Sequence, residues 1–143
     1  MCNAAQLIKS LLIGVAISCL SGCVMRPDLT DARVKNGADE AEIVEVTLSA
    51  DDARKIKGRE IYFSVVLVDC KNNEHRYPIE PYIAGKLAST FDFPVEGELI
   101  TIQASLPEQI LARFQTPCVA LEGGSYILGR LDSAPVPLVR FEG

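Results

Sequence analysis

Between Glu60 and Cys70 apolar residues occupy both alternating faces of one stretch: Ile61, Phe63, Val65 and Leu67 on one side, Tyr62, Val66, Val68 and Cys70 on the other. A strand of this kind needs cover on both sides, so it predicts the centre of a sheet with the rest of the chain built around it. The surrounding pattern is also short and β-rich. Ile43 to Leu48 alternates, with Val44, Val46 and Leu48 facing one way and Glu45 and Thr47 the other, as in a strand with one wet face. Glu98 to Ala104 and Phe91 to Pro94 read as two further strands, with Glu96-Gly97 turning between them. Cys118 to Glu122 and Tyr126 to Leu131 read as a hairpin around Gly123-Gly124, a pair that reaches positive φ at little cost. Val136 to Phe141 closes the set, and its Pro137 suggests an edge.

Helical signals are few. Pro107 in the first turn of Ser105-Leu106-Pro107-Glu108 predicts a short helix burying Ile110, Leu111 and Phe114. Ser49 and Asp52 have capping-box spacing for one turn ending near Lys57-Gly58, with a charged loop as the alternative. The expected fold is therefore all-β: a sandwich of six to eight short antiparallel strands, Ig-like or transthyretin-like, with one short helix. A small β-barrel is the alternative.

Ahead of this domain lies a different kind of sequence. An apolar run, Leu11 to Leu20, follows the single charge of Lys9 and ends in Leu20-Ser21-Gly22-Cys23. At about ten residues it is half of what a membrane-spanning helix needs, and it has the length of a signal-peptide core. The four residues resemble a bacterial lipobox, in which cleavage leaves the cysteine as the first mature residue. The resemblance implies a signal peptide over 1–22, a diacylglyceryl group on the Cys23 sulfur and an acyl chain, typically palmitate, on its amine. Two or more chains hold a protein stably on a bilayer. Val24 follows where an Asp would favour inner-membrane retention, so the implied address is the outer membrane facing the periplasm, with the inner membrane or the cell surface left open.

From Val24 to about Glu40 apolar residues are sparse, and Pro27 and Gly37 punctuate the stretch. The expectation is a lipidated cysteine and flexible tether over 23–40, reaching on the order of 20–25 Å, followed by the sandwich over 41–143. Of the five cysteines, Cys2 and Cys19 would leave with the signal peptide and Cys23 would carry the lipid. Cys70 and Cys118 remain, an even pair that an oxidising compartment would join. Two buried thiols are the alternative.

Composition excludes some functions. Of the 14 basic and 19 acidic residues only Lys9 precedes Cys23, so the chain from Cys23 onward is one charge more negative than the −5 of the whole. Such a surface repels nucleic-acid phosphates and anionic lipid headgroups, so neither is an expected partner surface. The single histidine, His75, sits between Glu74 and Arg76, and no Cys-x-x-Cys or His-rich spacing suggests a metal. Gly123-Gly124-Ser125-Tyr126-Ile127 lacks the Gly-x-Ser-x-Gly of a nucleophile elbow. No catalytic, cofactor-binding or metal residue is assigned.

Two stretches suit partner contact. Tyr77 and Tyr82 flank a segment stiffened by Pro78 and Pro81, which lowers the entropy of ordering it. Gly123, Gly124, Ser125 and Tyr126 form the expected hairpin tip, and Glu122 to Tyr126 resembles the Ser/Gly-rich loop of periplasmic lysozyme inhibitors, without the Trp and Lys elements of that family. The implied function is a non-catalytic envelope lipoprotein, anchored in the bilayer through Cys23, that binds or stabilises another envelope protein or assembly. The alternative is an inhibitor of lysozyme-type cell-wall hydrolases or, further off, a cell-wall enzyme.

Overall fold

The computed structural model describes residues 23–72, 74–126 and 129–140; the leader assigned to residues 1–22 lies outside them. In chain order the strands are β1 (Val24–Met25), β2 (Leu29–Asn36), β3 (Glu42–Ser49), β4 (Tyr62–Asp69), β5 (Arg76–Ile79), β6 (Tyr82–Ile83), β7 (Lys86–Leu87), β8 (Leu99–Leu106), β9 (Pro117–Ser125), β10 (Gly129–Asp132), β11 (Val136–Pro137) and β12 (Val139–Arg140). Helix α1 (Ala50–Gly58) links β3 to β4. Sheet one runs β1-β10-β9-β4-β5, with β11 also pairing with β9; sheet two runs β12-β2-β3-β8-β6-β7. The fold is the mainly β sandwich expected, and among the described residues it has one α-helix and no closed barrel.

The core lies between the sheets. Val44, Val46 and Leu48 of β3 and Ile100, Ile102 and Ala104 of β8 face Phe63, Val65 and Leu67 of β4 and Val119 and Leu121 of β9, all within one buried cluster. As the double-sided pattern requires, β4 is central, between β9 and β5. Its outer-face residues Val66 and Val68 form a smaller buried cluster with Cys118.

Several expectations are corrected. The stretch 24–36 is not a tether but two strands of the sandwich. Ala32 and Val34 of β2 are buried, while Arg33 and Lys35 on the opposite face both pair with Glu45 of β3. Gln103 of β8 donates to the same carboxylate at 2.8 Å, and the Lys35 contact foremost holds the Glu45 pKa below its ordinary value. A register shift between Leu29 and Asp31 breaks the alternation there, which is why β2 reads as irregular. Second, the sheets are mixed: β1 on β10 and β12 on β2 are parallel. Among the described residues seven strands have four residues or more, matching the expected number, and five more have two residues each.

Third, the helix is α1 rather than a segment after Pro107. The Ser49 hydroxyl accepts from the Asp52 N–H at 3.1 Å. Asp51 and Asp52 occupy the positive end of the helix dipole, and Lys55 and Lys57 the negative end. Ala50, Ala53 and Ile56 are buried. After Pro107 the chain makes only a 3-10 turn at Ile110–Arg113, because Gln109 takes a left-handed conformation (φ 61°) that interrupts an α-helix. Residues Phe91 to Pro94, expected as a strand, are irregular, with Phe93 buried. Fourth, Gly123-Gly124 is not a turn. β9 continues through both residues to Ser125.

Candidate functional site

The outer face of sheet one is ordered in rows by its register. Tyr62 of β4, Gly124 of β9, Arg130 of β10 and Val24 of β1 lie side by side. The next residue of each chain, Phe63, Gly123, Leu131 and Met25, forms the row beneath, and its large side chains point into the core. Neighbouring positions along a strand take opposite faces, so the first row projects outward. Farther along come Ser64 with Glu122, then Val66 with Ala120, then Val68 with Cys118. An Arg76–Glu122 ion pair spans the Val66–Ala120 row from β5 to β9.

The far end of these rows is bonded several times over. The expected Cys70–Cys118 disulfide is present, with Cα atoms 5.1 Å apart. Next to it the Asp69 carboxylate accepts from the N–H groups of Lys71 (3.1 Å), Gln115 (3.1 Å) and Thr116 (3.3 Å) and from the Thr116 hydroxyl (2.8 Å). These donors, the Lys71 N–H foremost, lower its pKa to about 2. The end is a structural clamp.

The near end is different in kind. Tyr126 is fully exposed, Tyr62 is 51% exposed and Val24 47% exposed. Among the described residues the other large exposed hydrophobic side chains, Tyr82, Leu99 and Val139, belong to sheet two. Tyr62, Gly124, Ser125 and Tyr126 line an open cavity of about 470 Å³. The Tyr62 ring is held edge-on against Phe91, their centroids 5.0 Å apart, so part of its ordering cost is met within the fold. Two glycines shape this end. A Cβ at Gly123 would collide with the Tyr62 carbonyl oxygen and lie 2.6 Å from the Phe63 Cα. Gly129 (φ 112°) lets Cys23 approach, and the Cys23 carbonyl accepts from the Arg130 N–H at 3.2 Å. Cys23 is exposed, and its sulfur is disulfide-bonded.

Of the expected contact residues, Gly124, Ser125 and Tyr126 are thus brought together, but within and just beyond a strand rather than as a protruding tip. Tyr77 and Tyr82 are separated. Tyr77 is half-buried on edge strand β5, where it lines a cavity of about 370 Å³ with His75, Arg76 and Arg113. Tyr82 lies on sheet two opposite Gln103. Sequence reasoning missed Tyr62, which it placed on a covered face, and Phe91 behind it. Only the pairing of Tyr62 with Gly124 brings them to this end. Among the described residues no group of His, Cys, Asp and Glu is arranged to hold a metal ion. Comparison with protein-family models, with curated proteins and with solved structures returned no match to this chain.

Proposed function

We propose that this chain is an exported bacterial lipoprotein, acylated at Cys23, whose sandwich is non-catalytic and binds or stabilises another protein or assembly of the envelope. The observation that carries the reading is Leu20-Ser21-Gly22-Cys23, placed directly behind a signal-length apolar run. The Cys70–Cys118 disulfide supports it, since such bonds persist in oxidising compartments. Val24 after the cysteine favours an outer-membrane address on the periplasmic side.

The test is chemical. A thioether to a diacylglyceryl group and a disulfide exclude each other at one sulfur, so the mass of the amino-terminal peptide from purified envelopes decides between them. The expected result is a peptide beginning at Cys23 with added acyl mass, lost in Cys23→Ala together with membrane fractionation. An uncleaved chain with a Cys23 disulfide overturns the reading. The hydrolase-inhibitor alternative is tested by adding the acylated protein in detergent to a lysozyme assay, where unchanged turnover is the expected outcome.

A further inference from the structure

We infer that the Cys23 end of sheet one rests on the bilayer that receives the acyl chains, with Tyr62 and Tyr126 at headgroup depth. This rests on the lipoprotein reading above. If the acyl chains leave from Cys23, that residue lies at the membrane surface, and no leash separates it from the fold: β1 starts at Val24. Cys23 is hydrogen-bonded through its carbonyl to Arg130, so the anchor is part of the sheet. Strands are spaced about 4.8 Å apart, which places Tyr62, three strands from Val24, only about 14 Å along the same edge. Tyr126 follows Ser125, which pairs with Gly129 beside Cys23.

What collects there suits a lipid interface. Tyrosines are enriched where hydrocarbon meets headgroups, because the ring is apolar and the hydroxyl polar. Arg130 is exposed in the same row as Tyr62, and Asp92, next to the Phe91 that packs on Tyr62, is paired with Lys86. The rest of the chain is acidic and is pushed away from anionic headgroups. The clamp at Cys70–Cys118 lies the length of β4 away, roughly 25 Å, and stays in water.

Because the chain has no tryptophan, Tyr126→Trp, Tyr62→Trp and, on sheet two, Tyr82→Trp each carry a single fluorescent reporter. The acylated full-length proteins are reconstituted into phosphatidylethanolamine–phosphatidylglycerol vesicles with brominated acyl chains, after mass measurement and flotation establish anchoring and thermal melts establish folding. Positions 126 and 62 are expected to show blue-shifted emission quenched by bromine near the headgroup, and position 82 neither. Anchored, folded protein with no quenching at 126 and 62, or with equal quenching at all three, overturns the inference and leaves the lipoprotein reading standing. Reporters at 126 and 62 that are unquenched in vesicles yet shielded from iodide in native envelopes assign this end to a protein partner and also overturn it. A chain that is never acylated overturns both.

Discussion

The two ends of sheet one are built on the same central strands and differ in almost everything else. At one end β4 and β9 are joined by the Cys70–Cys118 bond and by an aspartate that accepts from four donors. At the other they meet at Tyr62 and Gly124 with exposed aromatic side chains, a tight glycine contact and no covalent link between them in the described residues. The first end carries the covalent and hydrogen bonds that tie β4 to β9. The second leaves the side chains of Tyr62 and Tyr126 in water. The contrast separates what holds the sandwich together from what it presents.

Opening the disulfide should produce the largest effect. It closes a separation of 48 residues, and its loss in Cys70→Ala/Cys118→Ala should cost about 2–4 kcal/mol, mainly through the entropy of the unfolded chain. Thermal melts of the double variant, or of the native protein with and without reductant, measure this. A fall no larger than that of Cys23→Ala would erase the difference between the ends. At the aromatic end the vulnerable position is Gly123. Gly123→Ala drives a methyl group into the Tyr62 backbone, and overpacking of this kind should cost roughly 1–3 kcal/mol. Gly124→Ala meets the Gly129 carbonyl oxygen at 3.3 Å and the Arg130 Cα at 3.9 Å and should cost less. Denaturant midpoints of the pair give the ranking, and equal values would show that β9 shifts freely here.

Acid should loosen the clamped end as the Asp69 carboxylate takes up its proton. The Asp69 pKa is lowered from 3.8 to about 2 by folding. Between those values the unfolded chain binds more protons than the folded one, so the Asp69 contribution is complete above about pH 4 and is lost as pH falls toward 2. Asp69→Asn should flatten that part of the stability–pH curve, read by melts across the range. An unchanged slope would place the acid sensitivity elsewhere. The smallest effect is expected at Tyr126. As a fully exposed side chain, its replacement in Tyr126→Ala should move stability by no more than about 0.5 kcal/mol. A larger loss would mean that the residue serves the fold rather than a surface.

Much of the architecture was legible from local pattern. The double-sided run before Cys70 marks β4 as central, and the alternation of Val44, Val46 and Leu48 marks β3, because period-two burial is written directly into such strands. β2 was harder to read. Its inward residues are only Ala32 and Val34, its outward ones are charged, and a register shift interrupts the period. It is placed in the sandwich by its ladder with β3 and by burial of Ala32 and Val34, and Glu45 of β3 gathers Arg33 and Lys35 on the outer face. The Gly123-Gly124 pair has the composition of a turn, but its glycines answer a demand from across the sheet, where the β4 backbone leaves no space for a Cβ at position 123.

Taken alone, the sequence determined the mainly β class, the central strand and the cysteine pair, since each is carried by residues close together in the chain or by a simple count. The tertiary structure decided that the stretch after Cys23 folds into the sheets and that Tyr62 comes to lie beside Gly124, Ser125 and Tyr126. Those outcomes follow from strand register, a long-range property set by how two faces of a sheet bury their side chains together.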